Sequence, residues 1–276
     1  MNVPVLLPKI FNHPFTYKIK NKFDKFKPGD LVEVPFGKKK EIGVVWDSQQ
    51  EPQKNIKLKK IEKKISGISL NANLIKFINW FSAYNLAPRG LVLKMCFGDK
   101  SNLIKNEKLT LIKSKTYKKF NLNNDQKKAL SNLTLNEKGF SVSVLQGVTG
   151  SGKTIVYFKQ IKKIISREKQ VLILLPEIFL TNQFKKRFTE YFGYEPYIWH
   201  SKISLKKKRI IWQGVFKNKI KIVIGARSSL ALPFKKLGLI VVDEEHDTSY
   251  KQEEGIIYNA RDMAIARASI ENIPIN

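Results

Sequence analysis

Cysteine is almost absent from this chain. Cys96 is the only one in 276 residues. That excludes a disulfide framework and any zinc site built from several thiolates of this chain. A lone thiol suits a reducing compartment, so a cytoplasmic protein is expected. Histidine is nearly as scarce: His13, His200 and His246 lie far apart and show no metal-ligand spacing. No apolar run approaches the ~18–20 residues of a membrane span. The start, Met1-Asn-Val-Pro-Val-Leu-Leu-Pro8, is too short an apolar run for a signal peptide. Acidic residues are also in short supply, with 23 Asp+Glu against 51 Lys+Arg and a net charge of +28.

That charge sits on a chain that can fold. A hydrophobic content of 42% argues against a disordered polycation. At ~100–200 residues per domain the length suggests two domains. A surface this basic repels itself unless a polyanion neutralises it; nucleic acid is the first candidate and an acidic membrane surface the second. Abundant Lys, Asn, Ile and Phe would also follow from an A+T-rich genome with no binding role.

The first hundred residues read as a small β-rich unit followed by helix. Phe15-Thr-Tyr-Lys-Ile alternates apolar and polar residues, as a half-buried strand does. Pro28-Gly29-Asp30 is a turn, Leu31-Val-Glu-Val a second strand, Pro35-Phe-Gly37 a break, and Ile42-Gly-Val-Val-Trp46 a third strand. Lys38, Lys39 and Lys40 follow the break. Leu74–Phe81 has apolar residues at helical spacing, and Arg89–Met95 reads as a second short helix or turn. Residues 99–120 are lysine-rich with a weak apolar pattern, which predicts a linker.

From about 121 the texture changes to alternating strand and helix. Val142–Leu145, Val171–Leu175, Lys221–Ile224 and Leu239–Val242 are apolar strands, and the continuous runs suit parallel strands covered on both faces. Amphipathic stretches at 155–166, 178–191 and 205–216 lie between them. This rhythm predicts a parallel α/β sheet with right-handed crossovers. There is no internal repeat.

Gly147-Val-Thr149-Gly150-Ser151-Gly152-Lys153-Thr154 fits G-x-x-x-x-G-K-[ST], with a strand before it and a helix starting at Thr154. The glycines let the backbone wrap a phosphate chain with N–H groups inward, and the helix turns its positive end to the same anion. Lys153 places a charge on the β/γ-phosphates, and Thr154 offers a hydroxyl to Mg²⁺. Leu239-Ile-Val-Val-Asp243-Glu244 follows 90 residues beyond Lys153. It ends an apolar strand on two carboxylates at the edge where parallel sheets bind ligands. Asp243 would hold Mg²⁺, largely through water, and Glu244 would polarise the attacking water. Taken alone, the pair would also fit an acidic helix start. The ATP and Mg²⁺ site therefore rests on the loop and the acids together.

Asp243-Glu-Glu-His246 resembles motif II of the superfamily 2 helicases, in which the histidine links the nucleotide site to other motifs. The rest of the chain resembles the family of primosomal protein N-prime, bacterial replication-restart DNA helicases. Val5-Leu-Leu-Pro8, Pro14-Phe-Thr-Tyr17, Pro28–Gly37 and Gly43-Val-Val resemble that family's 3′-DNA-binding domain, which holds the 3′-hydroxyl end of a nascent strand at a stalled fork. By charge and position Phe36, Lys38 and Lys39, with Lys40, are candidate DNA contacts, though a solvated turn would look the same. Leu122–Gln126 resembles the entry segment, implying that Gln126 reads adenine. Leu175-Pro-Glu-Ile178 through Thr181 and Gln183 resembles motif Ia, and Trp199-His200-Ser201 a recurring His-Ser turn. Gly225-Ala-Arg227-Ser228 resembles motif Ib, with Arg227 and Ser228 as phosphate contacts. The stretch from Asp247 through Tyr250, Lys251, Gln252 and Tyr258 to Arg261-Asp262 resembles the family's aromatic-rich segment. There Tyr250 and Tyr258 would stack on bases, and Lys251 or Arg261 would meet phosphate or relay the signal.

The resemblance implies a β-rich 3′-end-binding domain over 1–98, a linker over 99–120 in place of a winged helix, and a RecA-like P-loop lobe over 121–276. It implies an ATP-driven helicase moving 3′ to 5′ on forked DNA. Restart and primosome proteins and single-stranded-DNA-binding protein would be its partners in the bacterial cytoplasm, at the nucleoid. The alternative is a fork-DNA-binding protein with a remnant ATP site. The chain stops at Ile273-Pro-Ile-Asn276, where the next strand and motif III are expected. A fragment is therefore expected, with the second lobe, its arginine finger and the cysteine-rich zinc modules lying outside it.

Overall fold

The computed structural model describes residues 2–20, 25–47, 57–99, 103, 118, 120–135, 139–148 and 150–276. The chain divides into two compact units, Met1–Ile104 and Lys105–Asn276. The division falls within the segment read as a linker, most of which lies outside the described residues.

The first unit is a five-stranded antiparallel sheet with two helices. Its strands are β1 (Asn2–Leu6), β2 (Phe15–Lys18), β3 (Asp30–Phe36), β4 (Lys39–Val45) and β5 (Lys63–Ser69), in the order β2-β1-β4-β3-β5. Val3, Val5, Leu7, Tyr17, Val32, Val34, Val45 and Ile61 form the core of this sheet. Each such side chain contributes about 1.5–3 kcal/mol by leaving water. Strands β3 and β4 pair Phe36 with Lys39, which leaves Gly37-Lys38 as a two-residue hairpin loop. Gly37 takes φ +60°, as the first position of such a turn requires. The lysine run is therefore not all turn: Lys39 and Lys40 belong to the strand. Helix α1 (Ala72–Tyr84) buries Leu74, Phe77, Ile78 and Phe81, one face at helical spacing. Asn71 caps it by accepting from the Leu74 amide at 2.8 Å. Helix α2 (Arg89–Phe97) follows.

The second unit opens with helix α3 (Asn124–Leu135) and strand β6 (Ser141–Val142). It continues with α4 (Lys153–Ser166), β7 (Gln170–Leu174), α5 (Asn182–Phe192), β8 (Tyr197–Trp199), α6 (Leu205–Phe216), β9 (Ile222–Gly225) and β10 (Leu237–Val242). A short hairpin, β11 (Lys251–Gln252) with β12 (Tyr258–Asn259), leads to α7 (Ala260–Glu271) and β13 (Pro274–Ile275). The main sheet has six strands in the order β6-β13-β10-β7-β9-β8, all paired in parallel. This is a RecA-like α/β lobe, and in sequence it follows a β-rich domain.

Its strands β7, β9 and β10 are buried almost throughout, which is why they read as unbroken apolar runs. Phe158 packs against Phe184, Phe188, Tyr191 and Phe192 beneath the sheet. Strands β1, β5, β8, β11, β12 and β13 go beyond those read from the sequence, and β6 is shorter than its apolar run. The first apolar run is strand only at Ser141–Val142, after which the chain turns into the phosphate loop. And the residues before Asn276 already form a strand: β13 lies between β10 and β6, tied by the Asn276 amide to the Ile240 carbonyl at 3.1 Å. Two residues starting with proline carry no periodicity, so only the neighbouring strands reveal it.

Candidate nucleotide-binding site

Every strand of a parallel sheet presents its carboxyl end on one edge, and here that edge carries the motifs. After β6 the chain forms the glycine-rich loop and enters α4 at Lys153. Gly152 caps the helix at φ +83°. That is a left-handed conformation natural to glycine. A side chain there would also meet the Gln126 amide nitrogen at 2.5 Å. The Lys153 ammonium donates to the Gly147 carbonyl at 2.6 Å, holding the two ends of the loop together. Thr149 lies outside the described residues.

Strand β10 delivers Asp243 and Glu244 opposite this loop. The Asp243 amide donates to the Leu174 carbonyl at 3.0 Å, which fixes the strand end against β7. Glu244 sits at φ +51°, a left-handed position that costs a non-glycine residue about 1–3 kcal/mol. That turn lets two successive carboxylates leave the strand end in different directions. One Asp243 oxygen accepts from the Glu244 amide at 3.1 Å and the other from the Tyr157 hydroxyl at 2.7 Å. Burial, reinforced by the charge of Asp243, holds the Tyr157 phenol well above its ordinary range, so it remains a donor.

Gly147, Gly150, Ser151, Gly152, Lys153, Thr154, Asp243, Glu244 and His246 line one open cleft of about 1160 Å³, and Arg261, Phe120 and Arg187 also reach it. The donor set fits a magnesium nucleotide. A glycine-rich loop at a helix N-terminus with one lysine suits a phosphate chain. One hydroxyl and one carboxylate suit a hard cation that takes its remaining oxygens from phosphate and water. Lys153 and the loop would hold the phosphates, and Thr154 and Asp243 the metal. When bound, the metal would neutralise charge on the phosphate oxygens. Among the described residues no group of three or more His, Cys, Asp or Glu gathers for a metal ion.

The other residues singled out in the sequence fall in different places. Gln126 does not line the cleft. Its amide nitrogen donates to the Ser151 carbonyl at 2.9 Å and its oxygen accepts from the Asn123 amide at 3.1 Å, so it braces the phosphate loop. His246 is 73% exposed at its side chain and lies 3.9 Å from Glu244. Arg261 pairs with Glu245 at 3.0 Å, which raises its already high pKa, and it faces the nucleotide cleft.

Arg227 heads the 3-10 turn Arg227–Ala231 after β9, and its guanidinium donates to the Lys251 carbonyl at 2.5 Å. Ser228 accepts from the Trp199 indole at 3.2 Å. Lys251 is exposed and paired with Glu253 at 2.8 Å.

The tyrosine expectation is corrected. Tyr250 and Tyr258 are 2% and 3% exposed and offer no ring face for a base. The Tyr250 hydroxyl is spent on backbone carbonyls, and burial raises both phenols, Tyr258 to about 12. In the first unit Phe36 is half-buried against Phe11 and Phe15, with ring centroids 5.7 and 5.4 Å away. Lys38 and Lys39 stand exposed at the hairpin.

Tyr157 and Arg187 escaped the sequence reading. Tyr157 looks like another buried face residue of α4, and only its spacing of three from Thr154 marked it. Arg187 is one of many cations on an amphipathic helix, with nothing to set it apart.

Two family models match parts of the chain. Residues 2–98 match the family model described as the PriA 3′DNA-binding domain, and residues 119–271 match the one described as type III restriction enzyme, res subunit. A DNA-binding domain ahead of a P-loop lobe of this kind defines a helicase-type protein. The replication restart protein PriA of Rickettsia felis is 41% identical over 276 residues, covering 98% of this chain and 41% of the relative. That of Helicobacter pylori is 35% identical over 254 residues, covering 91% of this chain and 38% of the relative. The chain belongs to the replication restart protein PriA family, that of primosomal protein N-prime. It spans about two-fifths of the length of the relatives it matches nearly end to end. No helix among the described residues is long and apolar enough to cross a membrane.

Proposed function

We propose that this chain is the DNA-end-binding and first-motor-lobe part of an ATP-dependent replication-restart helicase that moves 3′ to 5′ on forked DNA. The observation that carries the reading is the meeting of Lys153, Thr154, Asp243 and Glu244 on one cleft of a parallel sheet. A domain matched to a 3′DNA-binding model precedes that lobe. In this reading residues 1–98 hold a 3′-end, 99–120 link, and 121–276 bind ATP and Mg²⁺. Glu244 orients the attacking water, and Arg227 and Ser228 track DNA phosphates. Restart and primosome proteins and single-stranded-DNA-binding protein are its partners, and it works in the bacterial cytoplasm.

Phosphoryl transfer depends on a positive group at the transition state. In helicases a second lobe supplies it. The isolated 276-residue chain should therefore bind ATP weakly, hydrolyse it slowly and unwind nothing. Two assays test this. The purified chain is offered forked DNA ending in a 3′-hydroxyl or a 3′-phosphate, and a fluorescent ATP analogue with Mg²⁺. Preference for the hydroxyl end and Mg²⁺-dependent nucleotide binding are expected. Equal binding of both ends sinks the first unit's assignment, and multiple-turnover unwinding sinks the account of the isolated chain.

A further inference from the structure

We propose that Tyr157 is a positioning residue for the metal half of this site, holding the Asp243 carboxylate in one arrangement before nucleotide arrives. The inference rests on the nucleotide-site reading above and adds to it a residue that neither motif contains. Tyr157 lies on α4, one turn beyond Thr154, and its side chain is buried, with only 3% of the residue exposed. Packing fixes its ring: Phe158 stands edge-on at 5.2 Å. The hydroxyl is thereby carried on a rigid arm. It donates to Asp243 at 2.7 Å. That carboxylate is one of the two side chains that the donor chemistry assigns to Mg²⁺.

The consequence is geometric. Asp243 and Tyr157 come from different elements, 86 residues apart in sequence. Nothing in β10 alone stops the Asp243 carboxyl from rotating. The Glu244 amide holds one of its oxygens and Tyr157 the other, so the carboxylate plane is set. Each carboxylate oxygen has lone pairs to spare for a cation or its water. Outer partners that fix a ligand in this way change metal affinity by about 10- to 100-fold. Removing the hydroxyl while keeping the ring should therefore weaken Mg²⁺ and leave the phosphate loop alone.

The test is a Mg²⁺ titration of fluorescent ATP-analogue binding by the full chain, in wild type, Tyr157→Phe, Asp243→Asn and the double variant. Expected for Tyr157→Phe is a rise of about tenfold in the Mg²⁺ needed for half-saturation. Nucleotide affinity in EDTA should be unchanged and circular dichroism native. In the Asp243→Asn background the same change should do nothing further, because the tyrosine acts through that carboxylate. An unchanged or lowered Mg²⁺ requirement overturns the proposal. So does an equal loss with and without Mg²⁺, the mark of a tyrosine that only packs the helix. A wild-type chain that binds no nucleotide at any Mg²⁺ level removes the site reading, and this inference with it. Mg²⁺-dependent wild-type binding that Tyr157→Phe leaves intact removes the inference alone.

Discussion

The hydroxyl of Tyr250 lies 2.6 Å from the carbonyl oxygen of Asp243 and 3.0 Å from that of Leu174. One phenol proton thus fastens the ends of two adjacent strands, β10 and β7, beneath the acidic turn. The loop that carries Lys251 and Arg227's contact is anchored at that point.

Tyr250→Phe should cost about 1–3 kcal/mol, the usual penalty for leaving a buried carbonyl without its donor. Urea unfolding would measure it. Since the ring is buried, affinity for single-stranded DNA should stay within twofold of wild type. A loss of DNA affinity at unchanged stability would return Tyr250 to the role of a stacking platform.

Lys153→Ala should lower affinity for the fluorescent ATP analogue by at least about tenfold, since a charge-assisted contact to phosphate is removed. DNA binding should persist, because the cleft lined by Lys153 does not include Arg227 or Ser228. Parallel fluorescence and gel-shift titrations separate the two. Loss of both together would mean that the sites are not independent.

Arg227→Ala should weaken DNA binding across sequences, as a backbone contact does. It should make the salt dependence on single strands shallower by about 0.7 in log Kobs against log salt, the value for one phosphate. An unchanged slope would assign Arg227 to its Lys251 contact alone.

High pH should unfold the protein through its buried phenols. Burial raises Tyr17 and Tyr258 to about 12, and raises Tyr157, Tyr194 and Tyr250 as well. An unfolded tyrosine titrates near ~10. The folded state therefore holds these protons more tightly. Their contribution is complete below pH ~10 and is lost as pH rises through the folded values. Phenolate absorbance should show an early phase from exposed tyrosines and a later one coinciding with loss of circular dichroism. A single smooth titration near ~10 with no unfolding would contradict this.

Much of the lobe was legible because its signals are local. Val171–Leu175 and Leu239–Val242 are apolar throughout, since strands covered on both faces admit nothing else. The glycine-rich loop announces itself because wrapping a phosphate needs residues without side chains. Gln126 is legible as a motif residue, but its contact to the Ser151 carbonyl spans 25 residues, which no spacing rule encodes. Tyr250 and Tyr258 fit a base-stacking segment by composition. Whether an aromatic ring faces solvent depends on what packs over it.

The sequence by itself determined the alternation of apolar strands and amphipathic helices in the lobe, the phosphate loop and the carboxylates that answer it, because periodicity and loop chemistry are written over a few neighbouring residues. Only the tertiary structure decided that β13 enters the sheet between β6 and β10, that two tyrosines turn inward, and that the Tyr157 hydroxyl reaches Asp243. Those outcomes depend on which strands pair and how closely a helix lies on them. Such distances between chain-remote atoms are set by the packing of the whole lobe.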